Sequence, residues 1–209
     1  MNQLNNNKQK RWPTALQQLL PVITVLILAL LAYIFEQQLI NSLVYKRELI
    51  AQWEIWRIFS SHFFHTNLNH LLLNLGGLLL LWSLHGQYYT IKNYFLFFIS
   101  SSIIVSYGLY LFSPELSQYV GLSGVLHGVF IWGGLTDIRH KIMSGYLLVI
   151  GILLKVIHEQ VYGAGQDIAE LINANVAIDA HLWGVVSGIL FFILSSLLSI
   201  KTRKNKNAK

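Results

Sequence analysis

Apolar residues along the chain gather into six long stretches that are separated by short polar segments. A run of roughly 18 or more residues with few charges is typical of a helix that crosses a lipid bilayer. Little chain remains for a separate soluble domain, so the pattern predicts an all-α polytopic membrane protein with one six-helix domain over residues 14–200. The six predicted spans lie near residues 14–35, 68–85, 92–112, 121–138, 145–162 and 178–200.

The first stretch could be mistaken for a secretory signal peptide. Its apolar part is long, and the sequence Tyr33-Ile34-Phe35-Glu36 lacks the small residues of a cleavage site. We therefore predict an uncleaved membrane anchor. Segment 36–67 is long for a loop and mixes charges with aromatic residues, a composition typical of a segment that lies in the membrane interface. Its aromatic residues include Trp53, Trp56, Phe59, Phe63 and Phe64.

Charge sets the expected orientation. The chain is 54% hydrophobic and 11% charged, whereas charged residues make up roughly a quarter of a soluble domain. Much of the net charge of +6 lies in the tails, residues 1–13 and 201–209. Basic residues beside membrane segments mark the cytoplasmic side, so we expect both tails in the cytoplasm and no nucleic-acid partner. With no cysteine, a disulfide or a thiolate nucleophile is excluded.

Four polar side chains are predicted to lie at one depth in the membrane, near its outer surface. With six spans, the second, fourth and sixth all begin at the outer surface, and their first turns carry His70 and Asn74, Ser123, and His181 respectively. Each has an ordinary explanation alone, such as helix packing or a hydrogen bond between helices. Polar groups in a membrane are costly and usually functional, and their shared depth favours a common site.

The residue types in this set suit acyl transfer. A serine hydroxyl becomes a good nucleophile when a neighbouring base accepts its proton, which assigns Ser123 and His181 as a candidate catalytic dyad. Donors for the developing oxyanion would come from His70, Asn74 and the backbone N–H of Ser123 at a helix start. Gly184 and Gly188 share the helical face of His181, and glycines of this spacing permit close packing of helices. Gly124 and Gly128 repeat the spacing beside Ser123.

These residues resemble the rhomboid family of intramembrane serine proteases. The resemblance covers all but the tails and the first span. It runs through Trp56-Arg57, His65, His70-Leu-Leu-Leu-Asn74, Gly121-Leu-Ser123-Gly124, Ala180-His181-Leu-Trp-Gly184 and Gly188. It implies a rhomboid-like bundle, a Ser123–His181 dyad with an oxyanion site at His70, Asn74 and Ser123, and lateral substrate access controlled by the fifth span and the first outer loop.

One position departs from the common pattern. Many rhomboids have a tyrosine four residues after the serine, packed on the catalytic histidine, whereas this chain has His127. The run from Gly121 to Gly128 is most similar to the rhombosortase branch. That resemblance implies a protease of the bacterial inner membrane, with its site toward the periplasm, that cleaves exported proteins near a C-terminal anchor containing Gly-Gly. A general rhomboid protease with other transmembrane substrates is the alternative.

Three further residues, Lys155, His158 and Glu159, join His127 as candidate accessory or substrate-contact residues. Lys155 and Glu159 are spaced i, i+4, so they either form a self-contained ion pair or meet the end of the substrate. Asp179 lies two residues before His181 and points elsewhere on a helix, so we expect it to be an N-cap rather than a third member of the dyad.

Two other functions remain open from the sequence. A non-enzymatic rhomboid-like protein could escort membrane proteins, although such relatives typically lack the serine or the histidine. A metal site could form if the histidines converged, but the sequence shows no accompanying carboxylate ligand.

We therefore predict no metal and no cofactor. The expected partners are membrane-anchored protein substrates and the lipid bilayer, and the oligomeric state stays open. The histidines considered for metal binding are His62, His65, His70, His127 and His181.

Overall fold

The computed structural model describes residues 12–207, and the side chains of residues 12–198. The basic residues of the predicted N-terminal tail, Lys8, Lys10 and Arg11, lie outside the described residues. Within the described part the helices are α1 (Leu16–Ile34), α2 (Glu36–Leu43), α3 (Arg47–Ala51), α4 (Arg57–Ser60), α5 (Leu68–His85), α6 (Ile91–Phe112), α7 (Ser123–Arg139), α8 (Ser144–Tyr162), α9 (Gln166–Ile172) and α10 (Ile178–Asn207).

The helices agree with the predicted all-α polytopic membrane fold. Among the described residues, five helical segments are long and apolar enough to cross a membrane. They are α1, α5 with its following turn, α6, α8 and the part of α10 up to Leu198. The remaining predicted span corresponds to α7, whose 17 residues give a length of about 26 Å at 1.5 Å per residue. That length is slightly less than a bilayer core of about 30 Å, so the count of six crossings stays a prediction.

Helix α7 lies at the centre of the bundle. It packs against α10, α8, α5 and α6, and most of its residues are buried. Trp132 of α7 stacks on Tyr89 and Phe97, and Phe191 of α10 meets it edge-on. Since protein surrounds α7, it needs no continuous lipid-facing apolar surface, which explains why it tolerates polar residues and glycines.

Close backbone contact between α7 and α10 depends on glycine, as the sequence predicts. A Cβ added at Gly124 would lie 2.9 Å from the carbonyl oxygen of Ala180, and one at Gly128 would lie 2.8 Å from that of Gly184. A Cβ at Gly184 would overlap the carbonyl oxygen of Gly124, and one at Gly188 would overlap that of Gly128. The contact holds the beginnings of α7 and α10 side by side.

Segment 36–67 is more structured than an interfacial loop. Trp53 and Trp56 are exposed, which suits the predicted interfacial position, but Phe63 and Phe64 are buried in the core. Burial of two rings within the protein does not test the position of the segment relative to the membrane, so its interfacial location stays a prediction. The segment also contains strand β1 (Tyr45–Lys46), which pairs antiparallel with strand β2 (Gln118–Tyr119) just before α7.

Two arginines fasten this segment to the bundle. Arg57, which is buried, donates to Glu54 and to the carbonyl oxygens of Val44 and Asn41. The guanidinium of Arg47 binds carbonyl oxygens at the end of α6 and in the following loop: those of Leu109, Tyr110, Ser113 and Leu116. Together with the strand pair, these contacts fix the chain that leads into α7.

Candidate active site

Ser123 and His181 come together where α7 and α10 begin. Ser123 is the first residue of α7 and His181 lies in the first turn of α10. The Oγ atom of Ser123 lies 3.1 Å from Nε2 of His181. His181 is 5% exposed, so its ring is held within the bundle while the hydroxyl faces a cavity. The two residues assigned to nucleophile and base are therefore within hydrogen-bond distance.

The turn before Ser123 requires glycine. Gly121 has φ = +124°, a backbone conformation that side chains strongly disfavour. A Cβ there would also lie 3.0 Å from the ring of His70. The carbonyl oxygen of Gly121 accepts a hydrogen bond of 2.8 Å from the hydroxyl of Tyr119. This turn places the His70 ring against the loop that carries Ser123.

The other ring nitrogen of His181 meets a carboxylate that the sequence analysis assigned only an accessory role. Nδ1 of His181 lies 2.9 Å from Oε2 of Glu159, in the last turn of α8. Glu159 is a carboxylate near the outer end of an ascending span, at the predicted depth of His181, and that signal was available in the sequence.

Asp179 takes a different position from the one expected. The prediction of an N-cap was wrong, because α10 already begins at Ile178 and Asp179 lies within its first turn. Its Oδ2 atom accepts a hydrogen bond of 2.5 Å from the hydroxyl of Ser113. Asp179 thus ties the beginning of α10 to the end of α6.

Lys155 and His127 extend the contacts around His181. Nζ of Lys155 lies 2.6 Å from Oε1 of Glu159 and 3.1 Å from Nε2 of His127. Nδ1 of His127 lies 2.7 Å from the backbone oxygen of Ser123. The rings of His127 and His181 stack, with centroids 3.9 Å apart and planes 13° apart. The ring four residues after Ser123 therefore stacks on His181, and in this chain that ring is an imidazole.

The predicted oxyanion residues border the same space. His70, Asn74, Ser123 and His181 all line a cavity of about 380 Å³ between α5, α7, α8 and α9. The buried amide of Asn74 donates to the carbonyl oxygen of His70 at 3.0 Å, and an amide carries a second N–H. The N–H of Ser123 belongs to the first turn of α7, where backbone donors have no acceptor within the helix.

A second cavity of about 330 Å³ meets the first at His70 and Ser123 and is also lined by His65. His65 is 2% exposed, and both of its ring nitrogens are buried. Burial, and then the nearby charge of His70, lowers the pKa of His65 from 6.5 to about 3. His65 is therefore neutral at physiological pH and packs edge-on against His70, with ring centroids 4.9 Å apart.

His158 is separate from these contacts. It lies on an exposed face of α8 and its ring packs against Tyr162, with centroids 5.0 Å apart. The structure therefore unites three of the four candidate accessory residues, His127, Lys155 and Glu159, and leaves His158 out.

The metal alternative takes a new form. No carboxylate ligand was evident from the sequence. In the structure, His127, Glu159 and His181 each offer one ligand atom, and these three atoms lie within 4.8 Å of one another. Imidazole and carboxylate suit zinc. However, the ammonium group of Lys155 already contacts Glu159 and Nε2 of His127. A metal ion bound there would have to displace it.

Comparison with known proteins identifies the family. The chain matches the Rhomboid domain over residues 52–197. It belongs to the rhomboid family. This rhomboid is also 25% identical over 193 residues to a protein of Bacillus subtilis (strain 168) named "Putative rhomboid protease YdcA", covering 85% of this chain and 89% of that protein. Family membership and this relative support an intramembrane protease, and the apolar helices make it a multi-pass membrane protein.

Proposed function

We propose that this rhomboid is an intramembrane serine endopeptidase that uses Ser123 as the nucleophile and His181 as the general base. The observation that carries the proposal is the 3.1 Å contact between Ser123 Oγ and His181 Nε2. That contact borders a cavity large enough for a peptide segment. A general base must lie within hydrogen-bond reach of the proton that it removes, and His181 meets this requirement.

The reaction then has two stages. Nε2 of His181 takes the hydroxyl proton as Ser123 Oγ attacks the scissile carbonyl carbon, and the carbonyl oxygen becomes an oxyanion. The intermediate collapses to an acyl-enzyme when the peptide C–N bond breaks and His181 gives its proton to the leaving amine. Water, activated by His181, then hydrolyses the ester and restores Ser123.

The N–H of Ser123, the amide of Asn74 and the ring of His70 are the proposed oxyanion donors. All three residues line the cavity that Ser123 borders. Donors that are already in place are worth more in a site from which water is excluded, because they need no reorganisation as charge develops. Removal of one such donor typically lowers kcat by about 10²–10³.

The cavity suits a membrane-anchored substrate. Most of its lining is apolar, with Leu73, Gly77 and Leu80 on the α5 side and Ile152 on the α8 side. An extended stretch of a transmembrane anchor could lie there with its carbonyl at Ser123. A rhomboid-like escort protein would bind such anchors without cleaving them, and the Ser123–His181 contact favours cleavage.

For the substrate class we propose exported proteins that carry a C-terminal anchor with Gly-Gly. The support is the local sequence from Gly121 to Gly128, including His127. The basic tails favour a cytoplasmic position for both termini, and with the predicted even number of spans the outer ends of α7 and α10 would face the periplasm. The proposed location is therefore the bacterial inner membrane.

The test uses the full chain in detergent or proteoliposomes, with a Gly-Gly-anchored substrate and a generic transmembrane substrate. Mass spectrometry of the products should give one cleavage near Gly-Gly with wild-type protein and none with Ser123→Ala. Cleavage of the generic substrate alone would retain the protease and reject the substrate class. Binding of both substrates without cleavage would favour an escort function. Loss of cleavage with a chelator, restored by Zn²⁺, would favour the metal alternative.

A further inference from the structure

We propose that Glu159 is a positioning residue for His181, so that the proposed Ser123–His181 dyad works as a Ser123–His181–Glu159 triad with Lys155 holding the carboxylate. The inference rests on the proposed serine-protease function and deepens it. Neither the i, i+4 spacing on α8 nor the sequence motifs assign this role to Glu159. It follows from the contact between Glu159 Oε2 and His181 Nδ1 across two helices.

Hydrogen-bond roles around the site are mutually consistent. The backbone oxygen of Ser123 only accepts, so Nδ1 of His127 must carry the proton and its Nε2 must be an acceptor. The ammonium of Lys155 donates to that Nε2 and to Oε1 of Glu159. With Glu159 ionised, its Oε2 accepts from Nδ1 of His181.

The last step in that chain fixes the tautomer of the base. When Nδ1 of His181 carries the proton, its Nε2 lone pair faces the Ser123 hydroxyl at 3.1 Å. This is the tautomer that general-base catalysis needs, and the other tautomer would place an N–H against the serine. Glu159 therefore selects the reactive form of His181 and orients its ring.

Charge complementarity adds a second effect. When His181 takes the serine proton, the imidazolium lies 2.9 Å from the Glu159 carboxylate. The side chain of Glu159 is 11% exposed, and an ion pair in such surroundings is screened less than one in water. The carboxylate stays ionised throughout, and the proton passes from Ser123 to His181 and then to the leaving amine.

Lys155 completes the arrangement. An ionised carboxylate at membrane depth is costly unless it is paired. Lys155 pairs with one oxygen of Glu159 and leaves the other for His181. A self-contained ion pair would explain only the first contact. The second contact, directed at the proposed base, distinguishes a positioning role from a purely structural one.

The test compares Glu159→Gln with wild type and with Glu115→Gln, a matched loss of charge at an exposed loop position. The measurements are the rate at which a fluorophosphonate probe labels Ser123, kcat and KM for a transmembrane substrate, and Tm in detergent. In Glu159→Gln we expect labelling and kcat to fall by roughly 10²–10⁴, as for amide replacement of a triad carboxylate. We expect KM to change by less than about threefold, because substrate binding does not use this carboxylate.

Conservative variants separate positioning from folding. Glu159→Asp keeps the charge on a shorter side chain and should recover part of the lost rate. Lys155→Met should lower kcat by about tenfold through a less fixed carboxylate, and Lys155→Arg should restore most of it. If Glu159→Gln does not fold, the Lys155→Met and Lys155→Arg comparison carries the test.

The outcomes distinguish the inference from the proposed function. Wild-type labelling at Ser123, combined with an unchanged labelling rate and kcat in folded Glu159→Gln, would overturn the triad and leave the dyad. A lower Tm with unchanged kcat per folded molecule would also overturn it, because a structural ion pair predicts that result. Failure of wild-type protein to be labelled, or retained proteolysis in Ser123→Ala, would instead reject the proposed function itself.

Discussion

Among the residues that the structure describes, the rhomboid has two buried histidine–carboxylate pairs, one near each end of α7. Near its beginning, His181 contacts Glu159, and its second nitrogen faces Ser123. Near its end, Nε2 of His85 lies 3.3 Å from Oδ2 of Asp137, and both residues are almost fully buried. The pairs use the same chemical groups, so the groups alone do not explain a difference in function.

Their surroundings differ in two respects. His181 faces the hydroxyl of Ser123 and borders the 380 Å³ cavity. His85 and Asp137 line neither of the two cavities described above. The hydroxyl of Tyr88 donates to Asp137 at 2.5 Å, and its ring stacks on His140. The difference between the pairs leads us to propose that a buried histidine–carboxylate pair takes part in catalysis only where a hydroxyl and space for a substrate lie beside it. Where both are missing, we expect the pair to stabilise helix packing.

The largest expected contrast is between variants that remove Ser123 or His181 and a variant that removes His85. Ser123→Ala and His181→Ala should lower kcat by roughly 10⁴ or more, with Tm little changed, because they delete reacting groups. His85→Ala should lower Tm, because it leaves a cavity and a buried carboxylate without its partner, yet kcat per folded molecule should stay within about threefold. Proteolysis assays and thermal unfolding of the three variants measure both effects. A catalytic defect in folded His85→Ala would remove the distinction.

Separation of α7 from α10 should disable the site without altering a reacting group. Gly184→Val places a side chain against the backbone of α7 at Gly124, so we expect loss of activity and a lower Tm. Gly151→Val on α8 is the matched control, because a Cβ there meets nothing within 4 Å. The comparison needs kcat and Tm for both variants. Full activity in Gly184→Val would mean that Ser123 and His181 do not act across this contact.

An oxyanion role for Asn74 predicts a smaller effect of a different kind. Asn74→Ala should lower kcat by roughly 10²–10³ with little change in KM, because the interaction strengthens in the transition state. Steady-state kinetics on one transmembrane substrate separate the two constants. A change confined to KM would place Asn74 in substrate binding instead.

His127→Tyr tests which property of His127 matters. Tyrosine can keep a ring against His181 but loses the contact to the Ser123 backbone oxygen and the acceptor for Lys155. If His127 only packs, activity on both a Gly-Gly-anchored and a generic substrate should stay within about threefold of wild type. If it recognises the Gly-Gly anchor, we expect about a tenfold loss on the Gly-Gly substrate and little change on the generic one. If it relays protons, the loss should appear on both substrates, because both need the same proton transfers. Equal losses on both would leave substrate recognition by His127 without support.

The smallest effect concerns stability at low pH. Burial lowers the pKa of His62 from 6.5 to about 4, and His65 behaves similarly. Between pH 6.5 and about 4 the unfolded chain binds protons that the folded chain does not, so stability is complete above pH 6.5 and falls below it. Each group contributes a slope of up to about 1.4 kcal/mol per pH unit. Tm measured from pH 7.5 to 4.5 should fall less steeply in His62→Asn than in the exposed control His158→Gln. Equal slopes would contradict this assignment.

The sequence was sufficient for the fold class, the glycine contact, and the meeting of Ser123 with His181. Long apolar runs and glycine spacing are local signals, and the topology brings the ends of alternate spans to one side. The contact of Glu159 with His181 was not predicted, because the i, i+4 spacing pairs Glu159 with Lys155 and draws attention away from its position near the outer end of the span, at the depth of His181. The β1–β2 pair was also missed, since two-residue strands carry no periodic pattern. Asp179 was misplaced because helix ends are the least certain feature of such predictions.

The most direct test of the central claim is to label purified wild-type protein with a fluorophosphonate and locate the adduct by mass spectrometry. We expect a single adduct on Ser123, a loss of proteolysis in proportion to the fraction of protein labelled, and no adduct in His181→Ala over the same period. An adduct on another residue that abolishes activity, or full proteolysis by protein labelled at Ser123, would contradict it.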